Sequence, residues 1–253
     1  MLELLNSGFT LAALLVLMLL ALDVGRRIGQ RRLLHDPAGA QSGVGAIEGA
    51  VFALMGLMIA FTFSGASARF DARRDLLLQE TNAIGTAWLR LDLLPMDVRL
   101  REQENLRRYT ELRLAATRAS ATQATPELAA LEQDIWNRAL APAREAPDPR
   151  VAQLVLPALN DMFDVAAARY LAVQTHPPGV IYGLLIVLAL GCAMLAGHGM
   201  AGGRRWSQLH VLCFALSLLL AIYVSIELEF PRHGLIRIDK FDELLIRLRE
   251  GMH

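Results

Sequence analysis

Val44 to Ser64 reads VGAIEGAVFALMGLMIAFTFS, and Gly65 to Pro95 continues it as GASARFDARRDLLLQETNAIGTAWLRLDLLP. The first stretch is 21 residues long and almost wholly apolar. At 1.5 Å per residue it reaches about 31 Å, enough for a bilayer core of roughly 30 Å. Gly45, Gly49, Ala53 and Gly56 leave room for a neighbouring backbone, so this span is built to pack closely. The second stretch keeps helical periodicity with no breaker before Pro95, which predicts that the span leaves the membrane as one long helix ending there. Along it Phe70, Leu77, Ile84, Trp88 and Leu91 form an apolar stripe, and an adjoining side carries Arg69, Arg73 and Glu80.

Three further apolar runs are long enough to span. Leu4 to Val24 has its charge order reversed for a cleaved leader: Glu3 precedes it and Arg26, Arg27, Arg31 and Arg32 follow, so it reads as a retained anchor. Val180 to Ala196 and Leu209 to Ile226, separated by a short loop around Gly203, Arg204, Arg205 and Trp206, read as an antiparallel hairpin. The expected fold is an all-α integral membrane protein with four transmembrane helices in two hairpin pairs and a helical extramembrane domain between spans two and three. Its parts are residues 1–64 with spans one and two, 65–177 as the helical domain, 178–230 with spans three and four, and 231–253 as an amphipathic tail.

Within 65–177 the periodicity continues. A helix from about Asp97 to Ser120 shows Leu106, Tyr109, Leu112 and Ala116 on one side, with Glu104 and Arg108 spaced to pair at i, i+4. Thr125 then Pro126 is a cap followed by a first-turn proline, opening a helix to about Leu140. Pro142, Pro147 and Pro149 mark Ala141 to Pro149 as a linker. A last helix, Arg150 to about Gln174, carries Val155, Leu159, Met162 and Ala166 on one face and a kink at Pro157. Beyond the spans, Asp239 to Glu250 places Phe241, Leu244, Leu245 and Leu248 on a tail helix that should dock on the bundle.

The 253 residues are 54% apolar with mean hydropathy +0.37, and 25 basic residues balance 25 acidic ones. A neutral chain offers no basic stripe for nucleic acid. Cys192 and Cys213 lie inside apolar runs as small buried thiols, at a similar depth across the hairpin. The six histidines lack zinc spacing, and no GxSxG, P-loop, HExxH or glycine fingerprint is present. No enzyme, metal or cofactor is expected. The six arginines held in the short loops place those loops in the cytoplasm of a bacterium and the helical domain in the periplasm, with the chain in the inner membrane.

Several polar residues carry two readings. Glu48, in the second span, is either a pore-mouth residue or an interfacial carboxylate paired with an arginine of the preceding loop. Arg69, Arg73 and Arg74, just past that span, either gather anions at a vestibule or pair with Asp71, Asp75 and Glu80. Glu80, Asn82 and Thr86, with Thr81 around Gly85, form a polar cluster that reads as a structural network. Glu227 and Glu229 with Pro231, Arg232 and His233 read as a membrane-edge salt-bridge belt.

Gly56 to Pro95, together with EFPRHGLIRID at Glu229 to Asp239, resembles the paired signatures of the bestrophin-like family of bacterial membrane proteins, over essentially the whole chain. A more distant likeness to bestrophin anion channels implies a homo-oligomer, pentameric if that likeness holds. In its register, Ala53, Leu57 and Phe61 of the second span face a central pore for small ions, anions foremost. Thr62 stands where the bestrophin pattern carries Arg. The implied partners are the bilayer, further copies of the chain and small ions. The other reading is a non-conducting scaffold or envelope sensor acting through the helical domain.

Overall fold

The computed structural model describes residues 8–35, 44–119, 121–202, 208–230 and 239–253, and no strand occurs among them. The helices are α1 (Gly8–His35), α2 (Val44–Arg90), α3 (Met96–Arg118), α4 (Pro126–Glu145), α5 (Arg150–Gln174), α6 (Gly179–Gly199), α7 (Gln208–Glu229) and α8 (Asp239–Glu250). Four helical stretches, involving α1, α2, α6 and α7, are long and apolar enough to cross a membrane. With no breaker in its way, α2 runs unbroken for 47 residues. It then tightens into a 3-10 turn over Leu91–Leu93, and Pro95 stands at the N-cap of α3.

The chain forms two compact units, Met1–Ala68 with Pro177–Ile236, and Arg69–His176 with Arg237–His253. In the first, the tight pair is α1 with α6, while α6 and α7 meet only lightly. Glycines make the α1–α6 crossing. A Cβ on Gly25 would strike the Met194 backbone, one on Gly197 would strike that of Leu22, and one on Gly29 would lie 2.8 Å from the His198 carbonyl oxygen. This packing also carries α1 past Val24 to His35, so Arg26, Arg27, Arg31 and Arg32 sit on helix rather than in a loop, and Arg27 pairs with Asp23 at 2.7 Å. By contrast, the glycines of α2 expected to pack closely, Gly45, Gly49 and Gly56, have no atom of another described element within 4 Å of a Cβ. Cys192 is buried, and Cys213 is exposed because Val211 and Ala215 take the inward face of α7.

The second unit is a helical bundle. Leu77 and Ile84 of α2 and Leu91 of the 3-10 turn share a core with Leu106 and Tyr109 of α3, Ile135 of α4 and Leu159 of α5. Burying each such side chain contributes about 1.5 to 3 kcal/mol. Thr125 caps α4 by accepting from the Leu128 N–H at 3.2 Å, the role its place before Pro126 predicts. Pro142 does not end α4, which continues to Glu145: Ala139 and Ala143, on either side of the proline, are both fully buried, and that packing outweighs the lost backbone hydrogen bond. Helix α5 carries Pro157 inside it and buries Val155, Leu159, Met162 and Ala166, the expected face. The tail docks on α3 through Leu245 and Met252, with Arg249 on Glu111 at 2.6 Å and Arg107 Nε donating to the Met252 carbonyl at 2.9 Å. The Glu104–Arg108 pair does not form. Glu104 takes Arg107 at 3.2 Å and Arg108 reaches across to Glu127 at 2.6 Å, an interhelical partner that the spacing along α3 does not reveal.

Candidate functional site

Two features of α2 matter for function. The first is the division of its apolar half into two faces. Val51, Phe52, Met55, Met58 and Ile59 turn into the first unit's core, with Phe52 meeting Phe214 edge-on at 6.1 Å. The opposite face holds Ala53, Leu57 and Phe61, and all three are exposed, Leu57 at 50% and Phe61 at 65%. The spacing by fours that put them on one line is thus realised as a single outward stripe. Thr62 adds little polarity, because its hydroxyl donates back to the carbonyls of Met58 and Ile59 at 2.9 and 3.0 Å.

Glu48 does not pair with an arginine among the described residues. Its carboxylate lies 3.4 Å from His198 Nδ1 at the end of α6, with both side chains largely covered. The glutamates at the end of α7, Glu227 and Glu229, are buried, and Tyr223 Oη donates to Glu227 at 2.6 Å. Pro231, Arg232 and His233 lie outside the described residues.

The second feature is polar, in the helical bundle. Arg73 is buried and donates to the carbonyls of Ala172 (3.1 Å) and Thr175 (3.0 Å), so its charge closes the C-terminal end of α5. Arg74 stays 42% exposed between Asp71 and Asp75, at 3.7 and 3.8 Å. Arg69 is half-buried. The predicted cluster of Glu80, Asn82 and Thr86 does not stay together: Glu80 is fully buried, whereas Asn82 and Thr86 are exposed and Thr86 donates to the Asn82 carbonyl.

Glu80 is instead the centre of an ionic network whose other members the sequence reading missed. Arg113 Nε and Arg169 Nη1 each donate to one of its oxygens, and Arg169 Nη2 also donates to Thr117 Oγ1. Thr117 in turn donates to the Arg113 carbonyl at 2.7 Å, and the Arg113 guanidinium lies 4.5 Å over the Tyr170 ring. Burial works against the charge of Arg113, but Glu80 beside it outweighs burial and raises its pKa. Burial also pushes the Tyr109 phenol far up. The overlooked signal was periodic: Glu102, Leu106, Tyr109, Arg113 and Thr117 follow helical spacing, so α3 turns polar residues inward along with its apolar ones. Among the described residues no three His, Cys, Asp or Glu side chains are grouped to hold a metal ion.

The pattern of the bestrophin-like domain matches residues 11–240. The chain belongs to the bestrophin-like family. Crystal structures of three variants of a bacterial bestrophin homologue from Klebsiella pneumoniae share its fold. One aligns with TM-score 0.70 at 16% identity over 94% of this chain and 98% of that one. The other two align at 15% identity with TM-scores of 0.72 and 0.71, covering 96% of this chain in each case and 96% and 100% of theirs. No curated protein matches the sequence. The long second helix, with one apolar face turned inward and another outward, is therefore part of a bestrophin-like membrane fold.

Proposed function

We propose that this bestrophin-like protein is a homo-oligomeric channel of the bacterial inner membrane that passes small ions, anions foremost, with α2 of each copy lining a central pore. The observation that carries this reading is the outward stripe of Ala53, Leu57 and Phe61, which its own chain leaves uncovered. On the same helix Gly45, Gly49 and Gly56 have no neighbour among the other described elements, and small residues of this kind let the helices of separate copies approach closely. The likeness to bestrophins supports a pentamer. In such an assembly Phe61 forms the narrowest ring, and a ring of phenyl groups holds a pore shut by excluding water.

Arg69 and Arg74, beyond that ring, raise the local anion concentration at the vestibule. Arg73 and Glu48 are left out of the ion path, because their charged groups are engaged by α5 and by His198. The arginines at the end of α1 and in the segment 203–207 face the cytoplasm and the helical bundle faces the periplasm.

The deciding experiment is purification with a subunit count and an anion-flux assay in liposomes. A pentamer with measurable flux is the expected result. A strict monomer removes the central pore, and a closed oligomer points to the scaffold or sensor reading.

A further inference from the structure

Glu102 lies on the inward stripe of α3, and its side chain is wholly shielded from solvent. Its Oε1 accepts a long hydrogen bond, 3.4 Å, from Asn105 Nδ2, and its Oε2 is buried with no hydrogen-bond partner among the described residues. The same Asn105 amide reaches Asp134 Oδ2 on α4 at 3.3 Å, so two carboxyl groups share one donor. Arg138, the nearby cation, is held by Asp134, with Nε 2.7 Å from both of its oxygens.

Asp92 of the 3-10 turn meets Arg99 at 3.7 Å, and Arg249 of α8 meets Glu111. Among the described residues, the charged groups acting on Glu102 are Asp134 and Arg138.

An ionised carboxylate sealed from water with no cation of its own is far less favourable than the neutral acid. We propose that Glu102 is a proton-operated latch on the α3–α4 seam: as the neutral acid it stays packed, and once its O–H proton is released to solvent the carboxylate draws in water and loosens the seam. Burial first, and Asp134 second, push Glu102 up to about 7, against the opposing pull of Arg138 and Asn105. The folded chain therefore holds this proton more tightly than the unfolded one, where a glutamate titrates near 4.5. The latch's contribution to stability is fully present below the unfolded value, declines as pH rises towards about 7 and is lost above it. The inference is independent of ion conduction.

Hydrogen exchange of α3 and α4 peptides in the full-length protein, corrected for intrinsic exchange, tests it between about pH 5.5 and about pH 8.5. Wild-type seam opening should increase at least roughly tenfold across that range, while Glu102→Gln, fixed in the neutral form, should show no such rise. Asp134→Asn keeps Glu102 titratable but removes a charge that raises its pKa, so the midpoint should move down. A flat wild-type profile, a Glu102→Gln profile that retains the rise, or an unmoved midpoint in Asp134→Asn would each overturn the latch. If Glu102→Gln does not fold, the Asp134→Asn midpoint decides.

Discussion

Gly25 of α1 and Gly197 of α6 close one helix crossing from both sides, since a Cβ on either would run into the backbone of the other helix, at Met194 and at Leu22 respectively. Backbone cannot step aside as a flexible side chain can. Gly25→Ala and Gly197→Ala should each destabilise the protein by about 1 to 3 kcal/mol. Gly183→Ala, on the same α6 but with nothing within 4 Å of the added methyl, should change stability by less than about 1 kcal/mol. Thermal unfolding of the three variants in one detergent makes the comparison, and equal losses at Gly25 and Gly183 would contradict the crossing.

Removing Glu80 leaves Arg113 and Arg169 without their shared carboxylate in a bundle core where Arg113 has almost no solvent contact. Glu80→Ala should cost about 3 to 5 kcal/mol. Glu80→Leu combined with Arg113→Met should lose less than the sum of the two single changes, because the Glu80–Arg113 pair is then removed together and Arg169 alone is left without its carboxylate. A double-mutant cycle by denaturant unfolding reads the coupling, and additive losses would show the network to be energetically unimportant.

Phe61 gives a prediction of a different kind. Its side chain is 65% exposed on its own chain, so Phe61→Ala opens no cavity within the protomer. Liposomes carrying the variant should leak anions faster than wild type, with assembly intact. A variant that instead loses about 3 to 5 kcal/mol, as a core phenylalanine would, with no added flux, places Phe61 in a packed helix interface and removes it as a gate.

The three arginines after the second span should separate by role. Arg73→Gln deprives the carbonyls of Ala172 and Thr175 of a cation at the end of α5, and should lower stability by about 1 to 2 kcal/mol while leaving ion preference unchanged. Arg69→Gln with Arg74→Gln should leave stability nearly unchanged, since a surface pair such as Arg74 with Asp71 contributes at most about 1 kcal/mol, yet reduce anion flux at low salt. Unfolding midpoints and flux on the same preparations distinguish the two.

Helices were legible where a local rule decides them. Thr125–Pro126 opens α4, Pro95 closes the long helix region, and the spacing of Val155, Leu159, Met162 and Ala166 marks the buried face of α5. Pro142 misled because a breaker is a local cost, whereas the burial of Ala139 and Ala143 that overrides it is tertiary. Partner choice was illegible for the same reason. Gly45, Gly49 and Gly56 carry the same small-residue signal as Gly25, Gly29 and Gly197, and only the fold tells which set meets a neighbour within the chain. The polar cluster around Glu80 was visible as a cluster, but its partners stand 33 and 89 residues further on, beyond the reach of any helical period.

Those separations bear on how the protein is made. The ribosome delivers α1 long before α6, and Glu80 long before Arg169. During synthesis the first span must therefore wait in the bilayer without its glycine partner, held by its apolar length alone, as helices that insert first and associate later do. Glu80 emerges in the same partnerless state, meets Arg113 once α3 follows, and gains its second arginine only when α5 has been translated. Neither unit can be completed from its N-terminal part, so a nascent chain arrested before α5 should remain open and vulnerable to proteases in both.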